Sequence, residues 1–149
     1  MDKKNLALIG IVAVLAAVYV IYFTDWFRSK PIVIADTSRP ISGNNRKVLI
    51  FSLGERYIVT EIKVVPLDEW HTNKLALPLW HLVGKTSDPL NHFFYGRNLD
   101  GLNPEVDGAR AQPLQPGINY RIFVSAGSAK GWHDFQTGPA PPSSVRPGP

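Results

Sequence analysis

The sequence predicts an all-β fold, a two-sheet β-sandwich, preceded by one N-terminal transmembrane α-helix. The helix is predicted by an unbroken apolar run at residues 6–23. The sandwich is predicted by about seven short segments rich in β-branched and aromatic residues, separated by turn residues at intervals of roughly 8 to 12 positions. No helical period is visible outside the apolar run. The parts that we expect are a short tail (1–5), a transmembrane helix (6–27), a sandwich domain (28–138) and a Pro-rich tail (139–149).

The apolar run has the length and composition of a membrane-spanning helix. It carries no charge and no proline, and at about 1.5 Å per residue it would extend about 27 Å, close to the hydrocarbon thickness of a bilayer. A single helix satisfies its own backbone hydrogen bonds within lipid. Aromatic side chains gather at its C-terminal end, as is typical of the headgroup region. The residues that we assign to the anchor are Leu6, Ile9, Leu15, Tyr19, Tyr22 and Trp26.

Two alternatives to an anchor are a cleaved signal peptide and a buried core helix. A signal peptide is disfavoured because apolar residues continue through Tyr22 and Phe23, with no small-residue cleavage site before a polar stretch. A helix that is apolar on all sides would need a larger globular body around it to be buried. We therefore expect a single-pass membrane protein.

The flanking charges indicate the orientation of this helix. Lys3 and Lys4 precede it and Arg28 and Lys30 follow it, so the positive-inside rule counts the two sides almost evenly. A very short tail ahead of an uncleaved apolar segment is the usual arrangement of a signal anchor. We therefore expect the N-terminus in the cytoplasm, the helix in the inner (cytoplasmic) membrane, and the domain on the periplasmic or extracytoplasmic side.

Composition excludes several classes of function. The chain has no cysteine, which excludes disulfides, thiolate metal sites and cysteine nucleophiles. Its 16 Lys and Arg against 12 Asp and Glu give a net charge of +4. These basic residues are scattered and form no stripe, so we expect no binding to nucleic acid.

The first half of the domain contains three predicted strands. Residues 31–36 form a β-branched run and are the candidate first strand. Residues 46–53 and 56–66 are the next two strands, and the second alternates between apolar and polar residues as a half-buried strand does. Because only Gly54 and Glu55 separate these two strands, we expect them to form a tight hairpin.

The middle of the domain is predicted to contain two further strands and a long connection. Residues 67–76 form a polar connection, 77–83 an apolar strand and 92–95 a short strand. The segment 96–117 shows neither period, and structureless segments of this length are uncommon in compact domains. It is either a well-packed connection between sheets or a surface that contacts a partner. The residues that we assign to such a contact are Leu99, Leu102 and Val106.

The last two strands are predicted at 118–126 and 132–137, with a turn at 127–131 between them. Large side chains are expected to fill a core that has no disulfide. The segment 139–149 is rich in proline and cannot bury enough apolar surface to offset its ordering entropy, so it is a flexible tail or a docking segment. The core residues assigned from the strand pattern are Trp80, Ile122, Val124 and Trp132.

A family resemblance covers residues 114–137. The run Leu114-Gln-Pro-Gly-Ile-Asn-Tyr120, with the strand and turn after it, resembles the end of a fibronectin type III domain, in which a Leu-x-Pro-Gly-x-x-Tyr run enters the sixth strand. The resemblance implies an immunoglobulin- or fibronectin III-like β-sandwich. It also implies that Tyr120 is a corner tyrosine, whose hydroxyl bonds to nearby backbone, and that Leu114 is a core residue beneath it.

The sequence offers few candidate catalytic or metal-binding residues. No pair among the four histidines has the helical or strand spacing of a zinc site. We expect His81 to be a core histidine bonded to backbone, and His133 and Asp134 to point to opposite faces of a strand because they are neighbours in sequence. Asp68 and Glu69 form an exposed acidic pair. We therefore assign no catalytic, cofactor-binding or metal-binding residue.

Three functions remain open, and the first is the one that we expect. It is a non-catalytic accessory subunit of a larger membrane complex, of the respiratory or photosynthetic kind, whose partners are the lipid bilayer and other membrane protein subunits. The second is a stand-alone adhesive or ligand-binding module on an anchor. The third is a hydrolase acting through Asp68, Glu69 and a nearby histidine, which we disfavour.

Overall fold

The structure is a computed structural model that describes residues 2–23, 30–40 and 47–138. Trp26, which we assigned to the anchor, and the predicted tail at 139–149 lie outside the described residues. The helices and strands, in chain order, are α1 (Lys3–Phe23), β1 (Ile34–Pro40), β2 (Lys47–Tyr57), β3 (Glu61–Pro66), α2 (Leu67–Thr72), β4 (Trp80–Gly84), β5 (Leu90–Phe94), β6 (Leu102–Pro104), β7 (Asn119–Ala126) and β8 (Ala129–Gln136).

Helix α1 is apolar and exposed along its length. The window Lys3–Tyr22 spans 20 residues with a mean hydropathy of 2.4, and none of it is buried against the rest of the described chain. The predicted anchor residues that the structure describes are all exposed: Leu6, Ile9, Leu15, Tyr19 and Tyr22. The N-terminal helix therefore has the length and composition of a membrane anchor or a signal sequence.

The domain that follows is mostly β and consists of two antiparallel sheets, as predicted. One sheet has the strand order β1-β2-β5, and the other has the order β6-β4-β3-β7-β8. The core between them is centred on Phe51, whose ring lies 5.5 Å from that of Phe93 in its own sheet and 5.0 Å from that of Phe135 in the other sheet. The buried residues that we had assigned to the core are Trp80, Tyr120, Ile122 and Val124.

The predicted hairpin of 46–53 with 56–66 is wrong. Strand β2 continues to Tyr57, and β2 and β3 belong to different sheets. The chain crosses between the sheets at Val59, which is fully buried. Its N–H donates to Thr86 Oγ1 (3.1 Å), and its carbonyl accepts from the Thr86 N–H (2.9 Å). The buried Thr86 therefore satisfies the backbone N–H and carbonyl of Val59 at the crossing.

The chain enters the sandwich beside β8. The first strand was predicted at 31–36, but β1 begins later, because the residues before it pair with β8 of the other sheet. Ile32 N–H donates to Lys130 O (3.0 Å), and Lys130 N–H donates to Lys30 O (3.2 Å). Gly131 permits this approach, since a Cβ there would overlap the carbonyl oxygen of Ile32.

The predicted core position of Trp132 is wrong, because its side chain is 59% exposed. The strands β7 and β8 are joined by a two-residue turn in place of the predicted turn at 127–131, so that Ala126 pairs with Ala129. This register places Trp132 opposite Phe123, on the outer side of the sheet. A register error of one residue exchanges the two faces of a strand.

The long segment 96–117 is a packed connection that contains one more strand than predicted, β6. Leu102 begins this strand and is only 6% exposed, so its assignment to a partner contact is wrong. Leu99 packs against the core as well. Val106 is 68% exposed and is the one of the three predicted contact residues that faces solvent.

Hydrogen bonds fasten this connection to the sheets. Tyr95 Oη donates to Gln112 O (2.7 Å), and Gln112 N–H donates to Leu79 O (2.9 Å). Burial, and to a lesser extent the nearby Tyr120, raises the pKa of the Tyr95 hydroxyl above its usual range. The hydroxyl is therefore a neutral donor at physiological pH.

Tyr120 makes the kind of bond that the fibronectin resemblance implies. Its hydroxyl accepts a hydrogen bond of 2.9 Å from the Gln115 N–H, five positions earlier in the chain. Leu114 is partly buried and packs against the core. The start of β7 is thereby tied to the segment that leads into it.

Candidate docking surface

One side of the larger sheet faces the core and the other faces outward. We call the outer side of β4, β3, β7 and β8 the open face. Its centre is a row of residues that pair across the four strands, in the order His81, Lys63, Phe123 and Trp132. Residues paired in this way have side chains close enough to interact. The open face therefore brings aromatic and charged side chains together.

Helix α2 adds a further ring to the open face. Trp70, which it carries, lies 4.9 Å from the ring of Phe123. Lys63 Nζ lies 5.4 Å from the ring centre of Trp70 and 5.8 Å from that of Phe123, and Lys74 Nζ lies 4.9 Å from Trp70. Neither lysine has a carboxylate partner among the residues that the structure describes. These four residues form an aromatic–lysine cluster with unneutralised positive charge.

Trp132 lies beside this cluster and is held by an arginine. Arg121 Cζ lies 4.2 Å from the ring centre of Trp132. The guanidinium also donates to Asp134, with distances of 2.6 Å from Nε to Oδ1 and 2.8 Å from Nη2 to Oδ2. These hydrogen bonds lower the pKa of Asp134 below its usual range. The two-point contact fixes the arginine plane, so the exposed indole is already oriented.

His81 is hydrogen-bonded to one carboxylate and lies close to a second, and our expectation of a bond to backbone is wrong. Its Nε2 lies 2.8 Å from Glu61 Oε1. Glu105 Oε2 lies 2.5 Å from Nδ1 but outside the angles of a hydrogen bond. In the described part of the chain, no group of three or more acidic or histidine side chains is placed to hold a metal ion.

His133 and Asp134 point to opposite faces of β8, as predicted from their adjacency. His133 Nε2 lies 2.8 Å from Asp36 Oδ1, on the side of the three-stranded sheet. Asp134 lies on the open face with Arg121. The two neighbours therefore have separate structural partners and do not act on one site.

The predicted acidic pair, Asp68 and Glu69, lies in the first turn of α2, where a polar connection without helix was expected. Negative charge is favourable at that end of a helix. Both side chains are exposed. Neither forms a hydrogen bond with a histidine within the described ranges.

The sequence pattern showed part of this surface and missed the rest. The alternation in 118–126 already separated Arg121 and Phe123 from the core residues. The contacts of His81 with Glu61 and Glu105 join residues that are 20 and 24 positions away in sequence, and no local pattern signals them. Comparison of the chain with known protein families, with curated proteins and with solved structures found no match.

Proposed function

We propose that this protein is a non-catalytic, membrane-anchored accessory subunit of a larger membrane complex, and that its open face contacts another subunit. The observation that carries the proposal is the exposure of Trp132 on the open face, beside Phe123 and within reach of Arg121. Tryptophan and arginine are enriched among the residues that dominate protein interfaces. A tryptophan that is fixed in place yet mostly in water is suited to insertion into a partner.

The energetics favour such a contact. A tryptophan buries about 150–250 Å² when it is fully enclosed. Covering the exposed part of the Trp132 side chain would contribute about 2–4 kcal/mol at roughly 25 cal/mol per Å². Because Arg121 and Asp134 already fix the ring, little side-chain entropy is lost on binding.

The strand order supports an immunoglobulin- or fibronectin III-like sandwich for the domain. In immunoglobulin topology strands A, B and E are neighbours in one sheet, C, F and G are neighbours in the other, and strand C′ is added beside C. The orders β1-β2-β5 and β4-β3-β7-β8 follow this arrangement, with β6 added outside β4. The hydroxyl bond of Tyr120 at the start of β7 corresponds to the tyrosine corner at strand F.

The proposed location rests on the length and apolar composition of α1. We infer that α1 spans the inner membrane of a bacterium once, with the N-terminus in the cytoplasm and the sandwich in the periplasm. The complex that it joins is of the respiratory or photosynthetic kind.

The test is extraction from the native membrane with a mild detergent, followed by separation under native conditions. We expect the chain to migrate with other subunits, well above the size of a single 16.5 kDa chain in its micelle. Migration as a lone monomer would refute the accessory-subunit role.

A stand-alone binding module is the second candidate, and one observation favours it. Every residue of the hydrophobic core lies between Ile32 and Phe135, so α1 contributes nothing to the described core. This hypothesis predicts that a chain beginning near Pro31 binds its ligand as tightly as the anchored protein does. Loss of binding on removal of α1 would exclude it.

A further inference from the structure

We propose that the connection between β3 and β4, residues 67–79, is a docking site for a segment of another protein that presents apolar side chains next to a lysine or arginine. This connection comprises α2 and the loop that follows it. The proposal rests on the accessory-subunit function and names the chemistry of a second contact, which adjoins the open face through Trp70.

The connection lies at the end of the sandwich opposite the entry of the chain. The segment from α1 joins the domain at Lys130, beside the turn between β7 and β8. Strand β3 begins at that same end, where Glu61 pairs with Ser125, and finishes at the other end, where Pro66 pairs with Tyr120. An eight-residue strand such as β7 spans about 26 Å. The connection therefore begins at the end of β3 that is far from the attachment of the anchor.

Two leucines at this end are displayed by an ordered turn. Leu75 is 86% exposed and Leu77 is 83% exposed, while Ala76 between them is buried. Asn73 organises the turn, because its Oδ1 accepts from the Leu75 N–H (2.9 Å) and its carbonyl accepts from the Ala76 N–H (3.0 Å). The loop then returns to the sheet, where Leu79 N–H donates to Val64 O (2.8 Å). Leaving two leucines in water forgoes the favourable burial of their apolar side chains.

The charged side chains beside Leu75 and Leu77 indicate the chemistry of the segment that would bind there. Asp68 and Glu69 line an open depression of about 490 Å³ together with Leu75 and Leu77. Neither carboxylate has an ion-pair partner in the described part of the chain. Lys74, the nearest cation along the chain, lies over Trp70. The depression therefore offers apolar contacts and two unneutralised negative charges, which suit a cationic, apolar segment.

The same two carboxylates argue against a lipid surface as the occupant. Loops that dip into a bilayer present lysine or arginine to its anionic headgroups. Asp68 and Glu69 would instead be repelled by those headgroups and would lose hydration at the interface. A protein segment that carries its own cation would bury the leucine side chains and neutralise the carboxylates.

The test is site-specific photocrosslinking in the full chain within its native membrane. A benzophenone amino acid at position 77 is compared with the same probe at Val106, an exposed valine elsewhere on the domain. We expect position 77, and not position 106, to yield a protein adduct whose crosslinked segment contains lysine or arginine between apolar residues. The double change Asp68→Lys and Glu69→Lys should lower that adduct at least fivefold, whereas Asp100→Lys, at an exposed position, should not.

Four results would overturn the proposal. They are an adduct with lipid, an adduct with a second copy of this chain, the lack of any adduct at position 77, and a protein adduct that is insensitive to Asp68→Lys and Glu69→Lys. If the chain still migrates with other subunits in mild detergent, any of these results removes the second contact and leaves the accessory-subunit function standing. Migration as a lone monomer would remove the function itself.

Discussion

His133 Nε2 lies 2.8 Å from Asp36 Oδ1, and the two residues belong to different sheets. Asp36 is in β1 and His133 is in β8. The same edge of the sandwich is closed by the backbone pairing of Ile32 with Lys130. A side-chain contact and a backbone contact therefore join the two sheets where the chain enters the domain.

This contact predicts an energetic coupling between the two side chains. Asp36→Ala and His133→Ala should each destabilise the fold, by about 0.5–1.5 kcal/mol for a partly exposed hydrogen bond. The double variant should lose less than the sum of the two. Urea unfolding of the full chain in mild detergent, followed by tryptophan fluorescence, measures these values. The control combines His133→Ala with Asp100→Ala, which should be additive; additivity in the Asp36 pair would show that the contact contributes no coupling.

A close approach of the backbone predicts that replacing Gly101 with alanine greatly lowers the free energy of unfolding. Its φ is +89°, and a Cβ there would overlap the carbonyl oxygen of Lys85. Gly108 also has a positive φ, +76°, but has no atom within 4 Å of an added Cβ. Gly108→Ala should therefore cost about 1–2 kcal/mol for backbone strain alone, and Gly101→Ala should cost at least about 2 kcal/mol more. Equal losses of unfolding free energy would show that the approach to Lys85 is not rigid.

The hydroxyl of Tyr120 is predicted to stabilise the start of β7. Tyr120→Phe removes the acceptor for the Gln115 N–H and should cost about 1 kcal/mol of unfolding free energy. Tyr57→Phe is the matched control, because the Tyr57 hydroxyl has no hydrogen bond among the described residues. Its expected effect is close to zero. Indistinguishable thermal transitions for the two variants would contradict the role that we give to Tyr120.

The contact of Arg121 with Asp134 predicts a pH dependence on the acid side. Hydrogen bonding to Arg121 lowers the pKa of Asp134 in the folded state, so the contact stabilises the fold above the pKa of the unfolded chain. The contribution is lost as the pH falls through the lowered folded-state pKa. Because the pair is solvent-screened, wild type should exceed Asp134→Asn by only about 0.2–1 kcal/mol at pH 7.

The measurement is the difference in unfolding free energy between wild type and Asp134→Asn from neutral pH to below about pH 3. We expect the difference to shrink on acidification. Asp107→Asn, at an exposed position, serves as the control for the same change of charge elsewhere on the surface. A difference that grows as the pH falls would contradict the lowered pKa.

The sequence was sufficient to predict the class of the fold but not to predict which strands pair. The alternation of apolar and polar residues in 118–126 is set by burial of one face, and β7 follows it closely. The alternation in 56–66 runs on through residues 58–60, where the chain changes sheets. Strand pairing depends on contacts between distant residues such as Val59 and Thr86, which no local pattern contains.

The candidate surface was harder to predict, and Trp132 shows why. The face of β8 on which Trp132 lies depends on the length of the preceding turn. The two-residue turn in the structure places Trp132 on the opposite face from the one that the predicted five-residue turn would give. The large size of tryptophan suggested burial, whereas the register exposes it. Leu102 is the opposite case, because a leucine in a segment without periodicity turned out to start strand β6 and to lie in the core.

The most direct measurement of the central claim is co-purification of the full chain from its native membrane, comparing wild type with Trp132→Ser. This substitution removes an exposed side chain and its contact with Arg121, so we expect the variant to keep its membrane association and an unfolding free energy within about 1 kcal/mol of wild type. We expect it to lose at least one partner subunit that wild type retains. Retention of every partner by the variant, or a wild-type chain that purifies alone, would contradict the account.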